Sequence, residues 1–467
     1  MNKIILGIDI GSTKICAIIA QSVDDEIKIL GAGISKTGGI KKGIITNIEQ
    51  AARSIKRAVS DAKKVSGTHY DDVVISISGA YAKSVDSYGV VNVPSKEISI
   101  SEINRVLQMA DHNANIPHEY DRLHVLPYNF KVDEHTNIDD PLGMNGTRLE
   151  VNVHIITVLK SSLNNLKRAL KSASIEPKNI VLSGYASSIS VLNEDEKELG
   201  VAVVDMGGTT TDVVVHLGHS IRYNDFIGVG SANITNDLSM ALHTPIATAE
   251  DIKIKHGSLL SDDTSTIQVP SIGDENINNE VSLGVAKSVI LARVEETLAL
   301  VANNLKQSEY LDKLGAGIVL TGGMTKLEGL RELASQIFTS VPVRVAKPIE
   351  NNIEGMFETL KSPEFATTIG LIMYGAGYST SYEMDSNKQL RYNEHGYSPK
   401  PLKHETDDFF AELNPAPIME KPEESFEEAV DTRINQPQNN ESLEVIFDQQ
   451  EKRGVFSSFW NKITNIF

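Results

Sequence analysis

A short pattern occurs twice in this chain, as ILGIDIGSTK at residues 5–14 and as VAVVDMGGTTTD at residues 201–212. Each copy is an apolar, β-branched run that meets an aspartate and then a turn of glycine and hydroxyl residues, after which a second apolar run begins. A chain that repeats such a unit is expected to build two lobes of one plan. Glycines let the backbone turn tightly and bring its N–H groups close to an anion, and Ser and Thr hydroxyls add donors. Gly11, Ser12 and Thr13 in the first turn, and Gly207, Gly208, Thr209 and Thr210 in the second, are therefore predicted to hold phosphates, with Lys14 as a further nucleotide-binding residue. Asp9 and Asp205 are unsuited to phosphate itself. They suit the hydrated Mg2+ that bridges phosphates, because Mg2+ takes oxygen ligands and keeps its waters. One such turn is an ordinary strand connection; two that face each other make a clamp for a purine nucleoside triphosphate.

Two further pieces fit the same ligand. In AGIVLTGGM (residues 316–324) a buried strand runs into Gly322, Gly323 and Met324, where a base or ribose can lie against backbone without a Cβ. Taken alone, this reads equally as a plain strand, loop and helix. Glu250 and Lys253 share one helical face, where Glu can accept from ribose hydroxyls and Lys can reach the base or a phosphate. The ordinary account of such a pair is a solvated surface contact.

Composition narrows the rest. The 467 residues allow two to four domains, and about residues 1–377 alternate apolar runs with amphipathic helical stretches, as α/β proteins do. A formal charge of −18 opposes a broad grip on nucleic acid. The single cysteine, Cys16, lies in an apolar run and reads as a buried small hydrophobe in a reducing cytoplasm. The start lacks the apolar stretch of a signal peptide, and no segment reaches the roughly 20 apolar residues of a spanning helix. From Tyr378 to Gln450 there are 16 Asp and Glu against 6 Lys and Arg, with six of the 16 prolines and little periodicity, so 378–452 is expected to be a disordered linker.

The last residues, 453–467, differ again. Val455, Phe456, Phe459, Trp460, Ile463, Ile466 and Phe467 recur at helical spacing on one broad face, with Ser and Asn opposite. At about 1.5 Å per residue the stretch spans only about 20 Å, too short to cross a bilayer, so it is expected to lie flat on anionic lipid.

The order of the three glycine turns, with Glu-x-x-Lys before the third, resembles the superfamily of actin, the heat-shock chaperone ATPases and the sugar kinases. More closely, the chain resembles the bacterial cell-division protein family FtsA, on TGGIKKGII (37–45), LHVLPY (123–128), VHIIT (153–157), GYASS (184–188) and VPSIG (269–273). That resemblance implies an actin-like ATPase fold of two duplicated lobes that binds ATP and Mg2+. Its first lobe, subdomain 1A, would span 1–81, 158–193 and 366–377, with an inserted α+β subdomain 1C at 82–157. Subdomain 2A would span 194–229 and 316–365, and 2B 230–315. The family also implies homopolymeric filaments on the cytoplasmic face of the inner membrane at the division site, contacts with other divisome proteins, and docking of the C-terminal peptide of FtsZ on 2B, where Arg293 matches a basic position. Two departures stand out: Thr209 replaces a third glycine, which points to slow ATP hydrolysis at most, and the acidic linker is long.

Two rival readings share the superfold. A small-molecule kinase needs a base aligned on an acceptor hydroxyl, and nothing in the sequence singles one out. A PilM-like membrane-assembly adaptor shares the turns and the insert but typically ends near the close of the ATPase core. His112, His118 and His124 read as surface or loop residues rather than metal ligands.

Overall fold

Both repeated motifs fold as hairpins. In the computed structural model, which describes residues 2–392 apart from 25, 81, 261–262 and 351–352, β1 (Lys3–Ile10) turns into β2 (Lys14–Val23) with Asp9 opposite Cys16. Most residues of these strands are buried on both faces, so alternation is lost and only a covered, central position suits them. β3 (Glu26–Lys36) alternates buried and exposed residues, because α1 (Ile48–Ser66) packs on one of its faces. Between them lies the small hairpin β4 (Ile40–Lys41) and β5 (Ile44–Ile45). Asn47 starts α1 by accepting from the Gln50 N–H, and Gly67 ends it in the left-handed conformation. β6 (Asp72–Ile77) then joins β1 in parallel.

The chain next builds a separate sheet. β7 (Ala82–Asn92), α2 (Ile100–Asn113), β8 (Tyr120–Val132), β9 (His135–Ile138) and β10 (Arg148–Leu159) give the antiparallel order β7-β10-β8-β9. Its core includes Ile103, Val106 and Leu107 of α2 with Phe130 and Val153 of the sheet. α3 (Lys160–Ser172) and β11 (Asn179–Leu182) return to the first sheet, and α4 (Ser183–Val191) and α5 (Glu194–Leu199) lead onward.

The second lobe repeats the plan of the first. β12 (Val201–Met206), β13 (Thr211–Leu217) and β14 (Ser220–Ile227) form a meander, followed by α6 (Ser231–Ala241), α7 (Ile246–His256), the hairpin β15 (Thr266–Ser271) and β16 (Asp274–Ser282), and α8 (Leu283–Gln307). β17 (Gly317–Thr321), α9 (Leu330–Ile337) and β18 (Val343–Val345) complete it. The second sheet runs β14-β13-β12-β17-β18, and the first contains β3-β2-β1-β6-β11. In each, three antiparallel strands are followed by two parallel ones, so a duplication read from about ten residues extends over a whole sheet. β19 (Ile353–Gly355) then adds to β3, and α10 (Ala366–Ala376) crosses α4. Gly370 permits that crossing, since a Cβ there would lie 1.8 Å from the backbone oxygen of Ala186. Among the described residues no helix is long and apolar enough to cross a membrane.

Two expectations are corrected at the end of this unit. The linker does not begin at Tyr378, because residues 379–391 are fastened to the first lobe. Glu383, fully buried, accepts from the hydroxyls of Tyr185 and Tyr374 at 2.9 and 2.8 Å and lies 2.6 Å from His124 Nδ1. The Leu182 N–H donates to His124 Nε2 at 3.2 Å, which leaves the imidazole proton on Nδ1 to donate to Glu383. Met384 exchanges both backbone hydrogen bonds with Val125, and Asn179 donates to Asp385 at 2.7 Å. The segment is held by these polar partners, by backbone pairing, and by Tyr382 and Met384, which join the core of the inserted sheet; the apolar stretch is too short for periodicity to announce it. His124 is correspondingly buried in β8 and not in a loop or at the surface, whereas His112 and His118 are exposed. The residues from 393 onward, with the rest of the expected linker and the terminal helix carrying Val455, Phe456, Phe459, Trp460, Ile463, Ile466 and Phe467, lie outside the described residues.

Candidate functional site

The two hairpins face each other across a cleft of about 420 Å3. They meet at Gly208, where a Cβ would fall 2.3 Å from Thr13 Cγ2. The first turn is braced by the segment that follows β3: the Gly43 N–H donates to Ser12 Oγ at 2.8 Å and Thr37 Oγ1 donates to the Gly11 carbonyl at 2.8 Å. Ser12 keeps its own proton free to donate. The second turn is braced by the start of α6, whose Ser231 and Ala232 N–H groups bond the carbonyls of Gly207 and Gly208 at 3.1 and 2.7 Å. Of the residues predicted to hold phosphate, Gly11, Ser12, Thr13, Gly207, Gly208 and Thr210 line the cleft. Thr209 does not, and its hydroxyl is buried without a hydrogen-bond partner among the described residues. Lys14 lines the cleft, but its ammonium already pairs with Glu364 Oε2 at 2.7 Å and lies 3.9 Å from the centre of the Phe365 ring.

The floor is made of carboxylates. Asp9, next to last in β1, accepts from Ser76 at 2.8 Å; Asp205, next to last in β12, accepts from Ser187 and Thr367 at 2.5 and 3.1 Å. Asp212, opposite Asp205 in the ladder, accepts from Ser183 at 3.0 Å through Oδ2, while its buried Oδ1 has no partner among the described residues. Burial pushes Asp9 up to about 6, with the Asp205 charge adding to it. Burial, and then the Asp205 charge, push Asp212 up to about 7. Asp205 is raised as well, again by burial. Raised, crowded carboxylates with an unpartnered oxygen fit a hard divalent cation. Among the described residues no three acidic, His or Cys side chains converge closely enough to cage a metal alone. The arrangement fits Mg2+, which takes one or two carboxylates and completes its shell with water and phosphate oxygens.

The other predicted pieces meet at the far side of the same cleft. Gly322, Gly323 and Met324 line it together with Glu250 and Lys253. The Glu250–Lys253 pair is only half solvated: the Glu250 side chain is partly exposed, but Lys253 is buried, and its ammonium bonds Glu250 Oε2 at 2.7 Å and Thr235 Oγ1 at 3.0 Å. Arg293 lies on α8 outside the cleft lining, and it is occupied within the chain by Asp237 at 2.5 Å and by Glu296. Sequence reasoning missed Asp212, Ser76, Ser183, Glu364 and Thr367. Only Asp212 had a local signal, an acid one residue into the returning strand of the second hairpin. The others reach the cleft from remote segments; Glu364 meets Lys14 across 350 residues of chain.

Comparison with known proteins bears on this geometry. A family model described as cell division protein FtsA matches residues 202–370, and one described as the SHS2 domain inserted in FtsA matches residues 79–157. A cell division protein FtsA from Helicobacter pylori is 37% identical over 504 residues, covering 100% of this chain and 99% of that protein. One from Pseudomonas aeruginosa is 37% identical over 378 residues, covering 80% of this chain and 89% of that protein. Among solved structures, the PilM-PilN type IV pilus biogenesis complex shares the fold, with a TM-score of 0.57 at 18% identity over 79% of this chain and 98% of that one. Its sequence identity is half that of the cell-division relatives. Full-length similarity of this degree, with the inserted domain in its place, means that the chain belongs to the FtsA family of cell-division proteins.

Proposed function

We propose that this protein binds Mg2+-ATP between its lobes, forms actin-like filaments with that nucleotide, and tethers FtsZ to the cytoplasmic face of the membrane at the division site. The observation that carries the nucleotide reading is the close approach of Thr13 to Gly208 in a cleft also lined by Asp9, Asp205 and Asp212, which brings two anion-binding turns to one point. Mg2+, when bound, would neutralise charge between phosphate oxygens and the carboxylates. Asp9 and Asp205 would orient its waters. Asp212, with one oxygen free and a pKa near neutrality, is the group able to accept a proton from a water that attacks the terminal phosphate. Its hydrogen-bond partner is a serine and its neighbouring groups are carboxylates that themselves lie on the proposed metal side of the cleft, which supports slow turnover and speaks against an efficient metabolic kinase.

FtsZ docking is proposed on the part of the second lobe around α6 to α8, where Met240, Ile246 and Ile272 are exposed. An acidic peptide there would share Arg293 with Asp237 and Glu296. Membrane attachment is proposed through the terminal apolar face centred on Trp460.

Gly208→Asp tests the site. It places a Cβ against Thr13 and a carboxylate where an anion must approach, so ATP affinity by calorimetry is expected to fall roughly a hundredfold or more. Affinity within a few-fold of the parent, in a variant with unchanged circular dichroism, would reject the site.

A further inference from the structure

The chain carries a net formal charge of −18, yet two adjoining helices of its first lobe are strongly basic. α1 and α3 pack against each other and together hold nine Lys and Arg against two carboxylates, Glu49 and Asp61. Helical spacing explains the arrangement. In α1 the residues Ala51, Ile55, Ala58 and Ala62 turn inward, which leaves Arg53, Lys56, Arg57, Lys63 and Lys64 outward; in α3, Leu163, Leu166 and Leu170 turn inward and Lys167, Arg168 and Lys171 outward. All eight cations are exposed. Among the described residues, Arg53, Lys56, Arg57, Lys167, Arg168 and Lys171 make no ion pair, whereas Arg344, Lys361 and Arg293 elsewhere are each matched by carboxylates.

We propose that this face rests on anionic phospholipid, as a membrane contact made by the folded body in addition to the terminal helix. The inference rests on the proposed membrane attachment. Attraction to an anionic surface acts within a Debye length of about 8 Å, so a face gains from it only where its own carboxylates are few. Long Lys and Arg stems suit a headgroup layer. An acidic protein partner would have matching charge, but a protein interface also needs an apolar centre. On these two helices Val65, in the last turn of α1, is the one large apolar side chain that is exposed. A single interfacial helix attaches only reversibly, and a basic patch is the kind of second signal that makes attachment stable.

The test uses the full chain with vesicles of phosphatidylglycerol mixed into phosphatidylcholine, and of phosphatidylcholine alone. The variant Lys56→Gln, Arg57→Gln, Lys167→Gln, Arg168→Gln, Lys171→Gln is expected to bind the anionic vesicles about tenfold more weakly or worse, with a flatter salt dependence and unchanged ATP affinity. With Trp460→Glu in the parent, weak, salt-sensitive binding to phosphatidylglycerol is expected to persist, and adding the five substitutions should abolish it. If neutralisation changes neither affinity nor salt slope, the inference is overturned while the terminal-helix reading stands. If Trp460→Glu costs nothing but neutralisation does, the terminal-helix reading fails and this one holds. Binding of soluble polyglutamate by this face, without loss of vesicle binding on neutralisation, would also overturn it.

Discussion

At Asp212 the second hairpin departs from the first, which has Cys16 at the equivalent place opposite its aspartate. The exchange adds a third carboxylate to a floor that already holds two. Such raised carboxylates bind protons more tightly folded than unfolded, so between about pH 4 and 7 the unfolded chain carries fewer protons and stability falls as pH rises. Asp212→Asn is therefore expected to stabilise nucleotide-free protein at pH 8 by an amount on the order of 2 kcal/mol, seen as a higher melting temperature, and to flatten the slope between pH 5 and 8. Mg2+-ATP should act in the opposite sense, since it favours the ionised forms, and its affinity should rise through the same window. A melting curve as pH-dependent as the parent's would assign the slope to other groups. Turnover by the same variant should fall well below the parent's, since an amide in place of the Asp212 carboxylate cannot take up a proton near neutral pH. The sequence showed the paired Asp and Gly turns because backbone turning and anion binding demand those residue types locally. It did not show Ser76, Glu364 or Thr367, whose roles arise from tertiary contact alone.

The strap that follows α10 shows how an element can hide. Alternation and helical periodicity reveal segments that bury one face over several residues, and the strap around Tyr382 to Arg391 buries only Tyr382 and Met384 in this way, on either side of a buried carboxylate. Glu383 joins β8 of the inserted sheet, through His124, to α4 and α10, through Tyr185 and Tyr374. α4 and α10 also carry Ser187 and Thr367, which hold Asp205 at the cleft floor. Removing the carboxylate leaves two hydroxyls and an imidazole without their shared acceptor, so Glu383→Ala should cost about 3 kcal/mol or more. Urea unfolding followed by circular dichroism measures this; tryptophan fluorescence does not, since the sole Trp lies in the tail. A loss under about 1 kcal/mol would mean the strap is merely draped on the lobe. The hairpins themselves were readable because their strands are apolar throughout and bounded by glycine.

For the whole molecule, the duplication was visible in the sequence and the sheets repeat it strand for strand, whereas the way the inserted domain is fastened was not. A filament of such units would present many terminal apolar segments and basic faces at once, so attachments that are weak singly become firm through high effective concentration. Under the proposed function, nucleotide, polymer and membrane act together. The direct test is sedimentation of the full-length protein with anionic vesicles and a labelled FtsZ C-terminal peptide, with and without Mg2+-ATP. Coated vesicles that carry the peptide, formed with ATP by the parent chain and not by Gly208→Asp, are the predicted result. Equal coating and peptide recruitment with and without nucleotide, or by Gly208→Asp as by the parent, would contradict it.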